Sequence, residues 1–127
     1  MILADTHLLL WAAERSPRLS KKAAAQIMAA DQQRWFSVVS VWEATIKHML
    51  GRKDFAVDPG VLRRGLLANG WRELAVTGEH ARAVSDLPPL HNDPFDRILI
   101  AQAKVEGLTL LTSDKAVARY PGSVMKV

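Results

Sequence analysis

The sequence predicts an α/β fold in which helices pack around a largely parallel sheet. Two observations carry the prediction. Short apolar runs of strand character alternate along the whole chain with longer segments of helical spacing. The 127 residues are 49% hydrophobic and 24% charged, enough apolar material for a real core and too much for disorder. No linker, repeat or low-complexity stretch interrupts the pattern, so residues 1–127 are expected to form a single domain.

The elements follow in order. Met1 to Ala4 is expected to be a short buried strand ending at Asp5. Leu8 to Ala13 is expected to form a short apolar helix, closed by Arg15-Ser16-Pro17-Arg18. Ser20 can cap a second helix through about Ala30. Trp35 to Val39 has the composition of the next strand, and Ser40 then opens a helix through about Leu50 that Gly51 ends. Asp58-Pro59 opens another helix, which stops near Asn69-Gly70. Trp71 to Val76 is a weaker strand, and Thr77 caps a helix through Ser85. After Leu87-Pro88-Pro89-Leu90 breaks the pattern, Pro94 to Glu106 has helical spacing and Gly107 stops it. Leu108 to Leu111 is a strand, Asp114 to Arg119 a short helix, and Val124 to Val127 a last edge strand.

Composition narrows the function. The chain has no cysteine, which excludes disulfides and thiolate metal sites and permits a reducing cytoplasm. No apolar run approaches the roughly 20 residues needed to cross a bilayer, and the amino terminus is unlike a signal peptide. A cytoplasmic protein with no membrane partner is expected. Seventeen Lys and Arg against thirteen Asp and Glu give a net charge of +4, a modest excess that favours a polyanionic partner. There is no phosphate-cradling Gly-x-x-x-x-Gly-Lys, no Gly-x-Gly-x-x-Gly, no Gly-x-Ser-x-Gly and no zinc-ligand spacing among the four histidines.

The remaining signal is acidic. Asp5, Glu43, Asp96 and Asp114 each fall at or just beyond the end of an apolar segment. In open parallel sheets functional residues gather beyond the carboxyl ends of the strands. Carboxylates brought together there repel one another and need a cation. Their hard oxygens suit Mg²⁺ or Mn²⁺, and such a centre suits hydrolysis of phosphodiesters. Each acid alone also fits a structural role. Ser40 to Glu43 matches a capping box, Asp93-Pro94-Phe95-Asp96 a helix start, and Asp5 and Asp114 plain caps. Capping and ligation are compatible, since a helix start can aim an acid at a site. Thr6, Thr112, Ser113 and Asn92 could bind a metal-bound water or a phosphate, or serve as caps. His7 and His91 flank candidate acids and could meet RNA, help proton transfer or be structural. Arg97 could contact phosphate or pair with a neighbouring acid. Trp11, Trp35, Trp42 and Trp71 are most simply core or interface residues.

At these residues the chain resembles the PIN domains, and in particular the toxin half of VapBC toxin–antitoxin pairs. The matching stretches are Leu3 to Trp11, Ser37 to Lys47, His91 to Ala103 and Leu108 to Asp114, in the family's order and spanning nearly the whole chain. The resemblance implies a three-layer α/β/α fold with a central, mainly parallel sheet. It implies one or two Mg²⁺ or Mn²⁺ ions held by Asp5, Glu43, Asp96 and Asp114, with Asp93 a helper near the site. It further implies endoribonuclease activity on RNA, a homodimer, and a cognate antitoxin that covers the acidic site. Leu8 to Trp11 and the helix from Ser20 to Ala30 are candidate contact surfaces. Two other readings share the residues: a non-catalytic RNA-binding or protein-interaction domain whose acids are caps, and a nuclease directed at DNA.

Overall fold

The structure is a computed structural model that describes residues Met1–Val127. Five strands, β1 (Ile2–Ala4), β2 (Arg34–Ser37), β3 (Arg72–Leu74), β4 (Thr109–Thr112) and β5 (Val124–Lys126), form one sheet in the order β3-β2-β1-β4-β5. Every neighbouring pair is parallel, so each connection must carry the chain back across the sheet. The returns are made by α1 (Thr6–Glu14) and α2 (Lys21–Met28), then α3 (Val38–Met49) and α4 (Pro59–Ala68). On the other side of β1 they are α5 (Gly78–Ala83) with α6 (Pro94–Glu106), and finally α7 (Lys115–Ala118).

Side chains leave a strand to alternate faces, and two cores result. Ile2, Ala4, Phe36 and Leu111 point into one, against Leu8, Leu9 and Leu10 of α1, Ile27 of α2 and Leu62 and Leu66 of α4. Leu3 and Leu110 point into the other, against Leu99, Ile100 and Ala103 of α6 and Val117 of α7. This is the expected three-layer α/β/α sandwich, with both faces of a parallel sheet covered. Leu8 to Leu10 are therefore core and offer no contact surface, whereas Trp11 is only half buried.

Most helix starts lie where local chemistry put them. Ser20, Asp58, Thr77 and Asp93 each accept a backbone N–H of the first turn. Gly107 ends α6 in the left-handed conformation, φ 69°, that glycine adopts without strain. Asp5 caps α1, which therefore begins at Thr6 rather than Leu8.

One junction departs from expectation. The strand does not continue through Val39, and Ser40 does not open the helix. β2 stops at Ser37, whose Oγ accepts the N–H of Val39, and α3 starts at Val38 with no intervening loop. The β-branched pair Val38-Val39 is helical here because packing overrides its strand propensity. The expected capping box between Ser40 and Glu43 is absent. Ser40 is fully buried inside α3, where its hydroxyl and that of Thr6 are hydrogen-bonded at 3.0 Å, and Glu43 has other partners. A capping box does form at Thr77, with His80 as its return partner: Thr77 N–H donates to His80 Nδ1 at 3.0 Å. The 3₁₀ turn at Lys53–Phe55, which buries the Phe55 ring, had no sequence signal.

Arg97 also departs from both expected roles. Its Nη1 donates to the carbonyls of Pro88 and His91 and to Tyr120 Oη, at 3.1, 3.3 and 2.9 Å. Its Nη2 donates to the carbonyls of Val84 and Leu87 at 3.2 and 3.5 Å. The planar fork thus ties the segment from Val84 to His91 to α6, and it is neither paired with an acid nor presented to a phosphate. Arg97→Ala is expected to cost about 2–3 kcal/mol by leaving these carbonyls without donors. Arg97→Lys should recover less than half of that, because one ammonium cannot span both sets of acceptors. Urea unfolding midpoints check this, and a midpoint unmoved by Arg97→Ala would refute it.

Candidate metal centre

The sheet order reverses beside β1: the chain moves outward to β2 on one side and returns to β4 on the other. Such a switch point leaves a crevice at the carboxyl ends of the two strands. Asp5 follows β1 and Asp114 lies just past β4. Asp96 enters from the first turn of α6 and Glu43 from the second turn of α3. All four, together with Asp93, line one cavity of about 270 Å³, which they share with Thr6, His7, Trp11, Arg18, Lys47 and Ser113.

Each carboxylate is held by at least one fixed donor. Asp5, 6% exposed, accepts the Leu8 N–H on Oδ1 at 3.0 Å and the Thr112 hydroxyl on Oδ2 at 2.6 Å. Glu43, 3% exposed, accepts the Thr6 hydroxyl on Oε1 at 2.6 Å and the Lys47 ammonium on Oε2 at 2.5 Å. Lys47 is one helical turn on from Glu43, and its ammonium lies 5.0 and 5.7 Å from the ring centres of Phe55 and Phe95. Asp96 Oδ2 is 2.8 Å from His91 Nε2. Asp93 and Asp114 cap α6 and α7 through Oδ1, which leaves each Oδ2 for another ligand. For these two acids the capping role is met by one oxygen, and the other is not engaged in the cap.

The electrostatics agree with a cation site. Burial pushes the Asp96 carboxyl up to about 6; the hydrogen bond from His91 opposes this, and the charges of Asp93, Glu43 and Asp5 add to it. Burial also raises Asp5, against the opposing hydrogen bonds from Thr112 and the Leu8 N–H. Acids raised by burial and by one another's charge are relieved by a dication among them. A tighter grouping exists at the rim, where His91, Asp93 and Asp96 bring one donor atom each within 4.8 Å of one another. His91 Nε2 is already engaged with Asp96, and an imidazole suits softer metals. Hard carboxylate oxygens suit Mg²⁺ or Mn²⁺; the four acids Asp5, Glu43, Asp96 and Asp114 share one cavity but are not drawn together as closely as this trio.

The other expected residues divide. Thr6 and Ser113 line the cavity, whereas Thr112 is wholly buried beneath it and acts through Asp5. His91 stands behind Asp96. His7 lines the cavity with Nε2 3.4 Å from Asp54 Oδ2, its ring against Trp11 and Phe55. Asn92 is absent from this cavity's lining and instead lines an apolar groove with Val38, Trp42 and Pro94. Lys47 and Arg18 had been given no role. The Glu43–Lys47 spacing of four residues is a local signal that would have found the first; nothing local marks the second.

Residues 2–123 match the PIN domain family. Solved structures with the same architecture include VapBC2 from Rickettsia felis bound to a DNA fragment from its promoter. The two share 15% identity and a TM-score of 0.74, over 99% of this chain and 98% of that one. FitAcB from Neisseria gonorrhoeae shares 21% identity, TM-score 0.65, over 92% of this chain and 90% of that one. VapC20 from Mycobacterium tuberculosis, a sarcin-ricin loop cleaving toxin, shares 16%, TM-score 0.58, over 95% and 97%. At these identities the likeness is one of fold. No curated protein matches the chain.

Proposed function

The chain belongs to the PIN domain family, and from that premise we propose that it is a metal-dependent endoribonuclease, the toxin of a VapBC-type toxin–antitoxin pair. The observation that carries the proposal is the switch-point cavity, where Asp5, Glu43, Asp96 and Asp114 converge and Asp96 is pushed up to about 6. A bound Mg²⁺ or Mn²⁺ would supply an activated water and neutralise charge developing on the phosphoryl oxygens.

The chain's own residues set the geometry. Asp5, Asp96 and Asp114 would hold the ion through oxygens that Thr112, His91 and the first turn of α7 keep fixed. Thr6 and Lys47 grip both oxygens of Glu43, so this carboxylate enters the reaction already oriented. With Lys47 balancing Glu43, the remaining acids carry the charge that attracts the ion.

Further parts of the proposal concern partners. A homodimer and a cognate antitoxin are supported by the exposed apolar face of Val38, Trp42 and Val76. There Trp42, 60% exposed, meets the Phe95 ring edge-on at 5.3 Å beside the acidic cavity. No helix is long and apolar enough to cross a membrane, in keeping with a proposed cytoplasmic site of action.

The test incubates purified protein, free of any antitoxin, with total cellular RNA in Mg²⁺, in Mn²⁺ and in EDTA. Discrete fragments that require metal are the expected outcome. Intact RNA after exposure to folded, metal-loaded protein would overturn the proposal; cleavage of DNA alone would move the substrate.

A further inference from the structure

A second cavity, about 340 Å³, adjoins the acidic one and is lined by Trp11, Glu14, Ser16, Arg18, Lys53 and Asp54. Trp11 and Arg18 belong to both, so the two adjoin along a shared wall as one groove that leads from the acidic centre past Glu14 and Asp54. The groove changes character along its length. At the inner end are acids; at the shared wall are a half-buried indole and an exposed guanidinium; at the outer end is an exposed ammonium.

The two outer cations have no acidic partner. Arg52 pairs with Asp54, Lys47 with Glu43, Arg63 with Glu73 and Arg82 with Glu79. Arg18 and Lys53 make no ion pair, although they sit close to Glu14 and Asp54. Asp54 is already held by Arg52 at 3.1 Å and faces His7 at 3.4 Å, so it adds little free negative charge to the groove. Trp11 presents part of its ring beside the His7 imidazole, whose centre is 5.7 Å away, and the indole N–H has no acceptor. One indole flanked by two unpaired cations, Arg18 and Lys53, offers a single-stranded nucleic acid the two contacts it uses. Bases stack on the rings while the cations track phosphates.

We infer that this groove is a binding site for the single-stranded RNA flanking the cleaved bond, with a base on Trp11 and phosphates on Arg18 and Lys53. The inference rests on the nuclease reading for the identity of the strand, but not on any bound metal. Glu14 at the same rim keeps the net positive charge small, so stacking rather than charge carries most of the affinity for the base. This makes Trp11 a specificity element: substrates with an unstacked base at that position are favoured over continuous duplex, whose bases are already stacked.

The test measures binding of a short, labelled single-stranded RNA by fluorescence anisotropy in EDTA, where no metal-dependent cleavage enters. Trp11→Leu is expected to weaken binding about tenfold and Trp11→Phe markedly less, since the phenyl ring still stacks. Arg18→Gln and Lys53→Gln should each reduce the slope of log affinity against log salt by about 0.7, the signature of one lost contact to a single-strand phosphate. Because Trp11 also packs on the core, each variant's melting temperature is measured alongside, and the Phe and Gln variants keep the test sound if Trp11→Leu unfolds. No binding by the wild type, or equal affinities and slopes across the folded variants, would overturn the inference. So would unchanged RNA affinity with lost binding to a cognate antitoxin, which would assign the groove to a protein. RNA binding with these dependences but no cleavage in metal would sink the nuclease reading and leave the groove standing.

Discussion

Asp5→Asn is expected to lower metal-dependent RNA cleavage by at least about a thousandfold and to leave the fold in place. The first half follows from the site. Asp5 is buried at the switch point, it lies at the end of the central strand, and its charge cannot be replaced by an amide. The second half follows from its hydrogen bonds. An Asn oxygen can still cap α1 through the Leu8 N–H, because Asn and Asp are equivalent caps. The amide NH₂ then faces Thr112 Oγ1, which reverses from donor to acceptor. Removing a buried charge further offsets any loss. Fragment yield and melting temperature are measured on one preparation. Cleavage within tenfold of the wild type would remove Asp5 from the site, and an unfolded variant would mean its role is structural.

Asp96→Asn should be as damaging to cleavage and yet stabilise the metal-free protein, by about 1 kcal/mol once partial exposure to solvent is discounted. The sign comes from proton linkage. In the folded protein this carboxyl titrates near 6, against 3.8 for the free group. Between those values the folded state holds more protons than the unfolded state, so stability falls as pH rises through the window. The metal-free wild type is therefore expected to gain stability when taken from pH 7 to pH 5, and the variant to gain less. Burial raises Asp5 in the same direction, so part of the trend survives in the variant. Melting curves in EDTA at the two pH values read this out. Equal pH responses in the two proteins would show that Asp96 carries no such strain.

What the sequence made legible is what depends on neighbours in the chain. The start of α6 was visible because Asp93 and Pro94 define it within two residues, and that start places Asp96. The end of β1 was visible because Asp5 interrupts an apolar run and caps the next helix. The start of α3 was misjudged because Val38 and Val39 favour a strand by themselves. The helix begins early with Ser37 as its cap and with Ser40 buried against Thr6, thirty-four residues distant. Arg97 was misread for a related reason: its partners are backbone carbonyls, which no residue type announces. The groove past Trp11 joins side chains from α1, the turn after it and the segment before Phe55, and their meeting is a property of the folded chain alone.

The direct passage from β2 into α3 has a consequence for how this chain can vary over time. Ser37 ends the strand and caps the helix, so no slack separates the sheet from Glu43. A helix turns about 100° per residue. One residue lost between Ser37 and Glu43 would put that carboxylate in the place of Trp42 on the apolar face, one inserted would put it in the buried place of Ala44, and either would carry Lys47 away with it. The interval behaves as a ruler whose length is the site's geometry. Descendants of this sequence can lengthen the turn before β5 or the segment after α2, but this interval is fixed in length for as long as the acidic centre is in use.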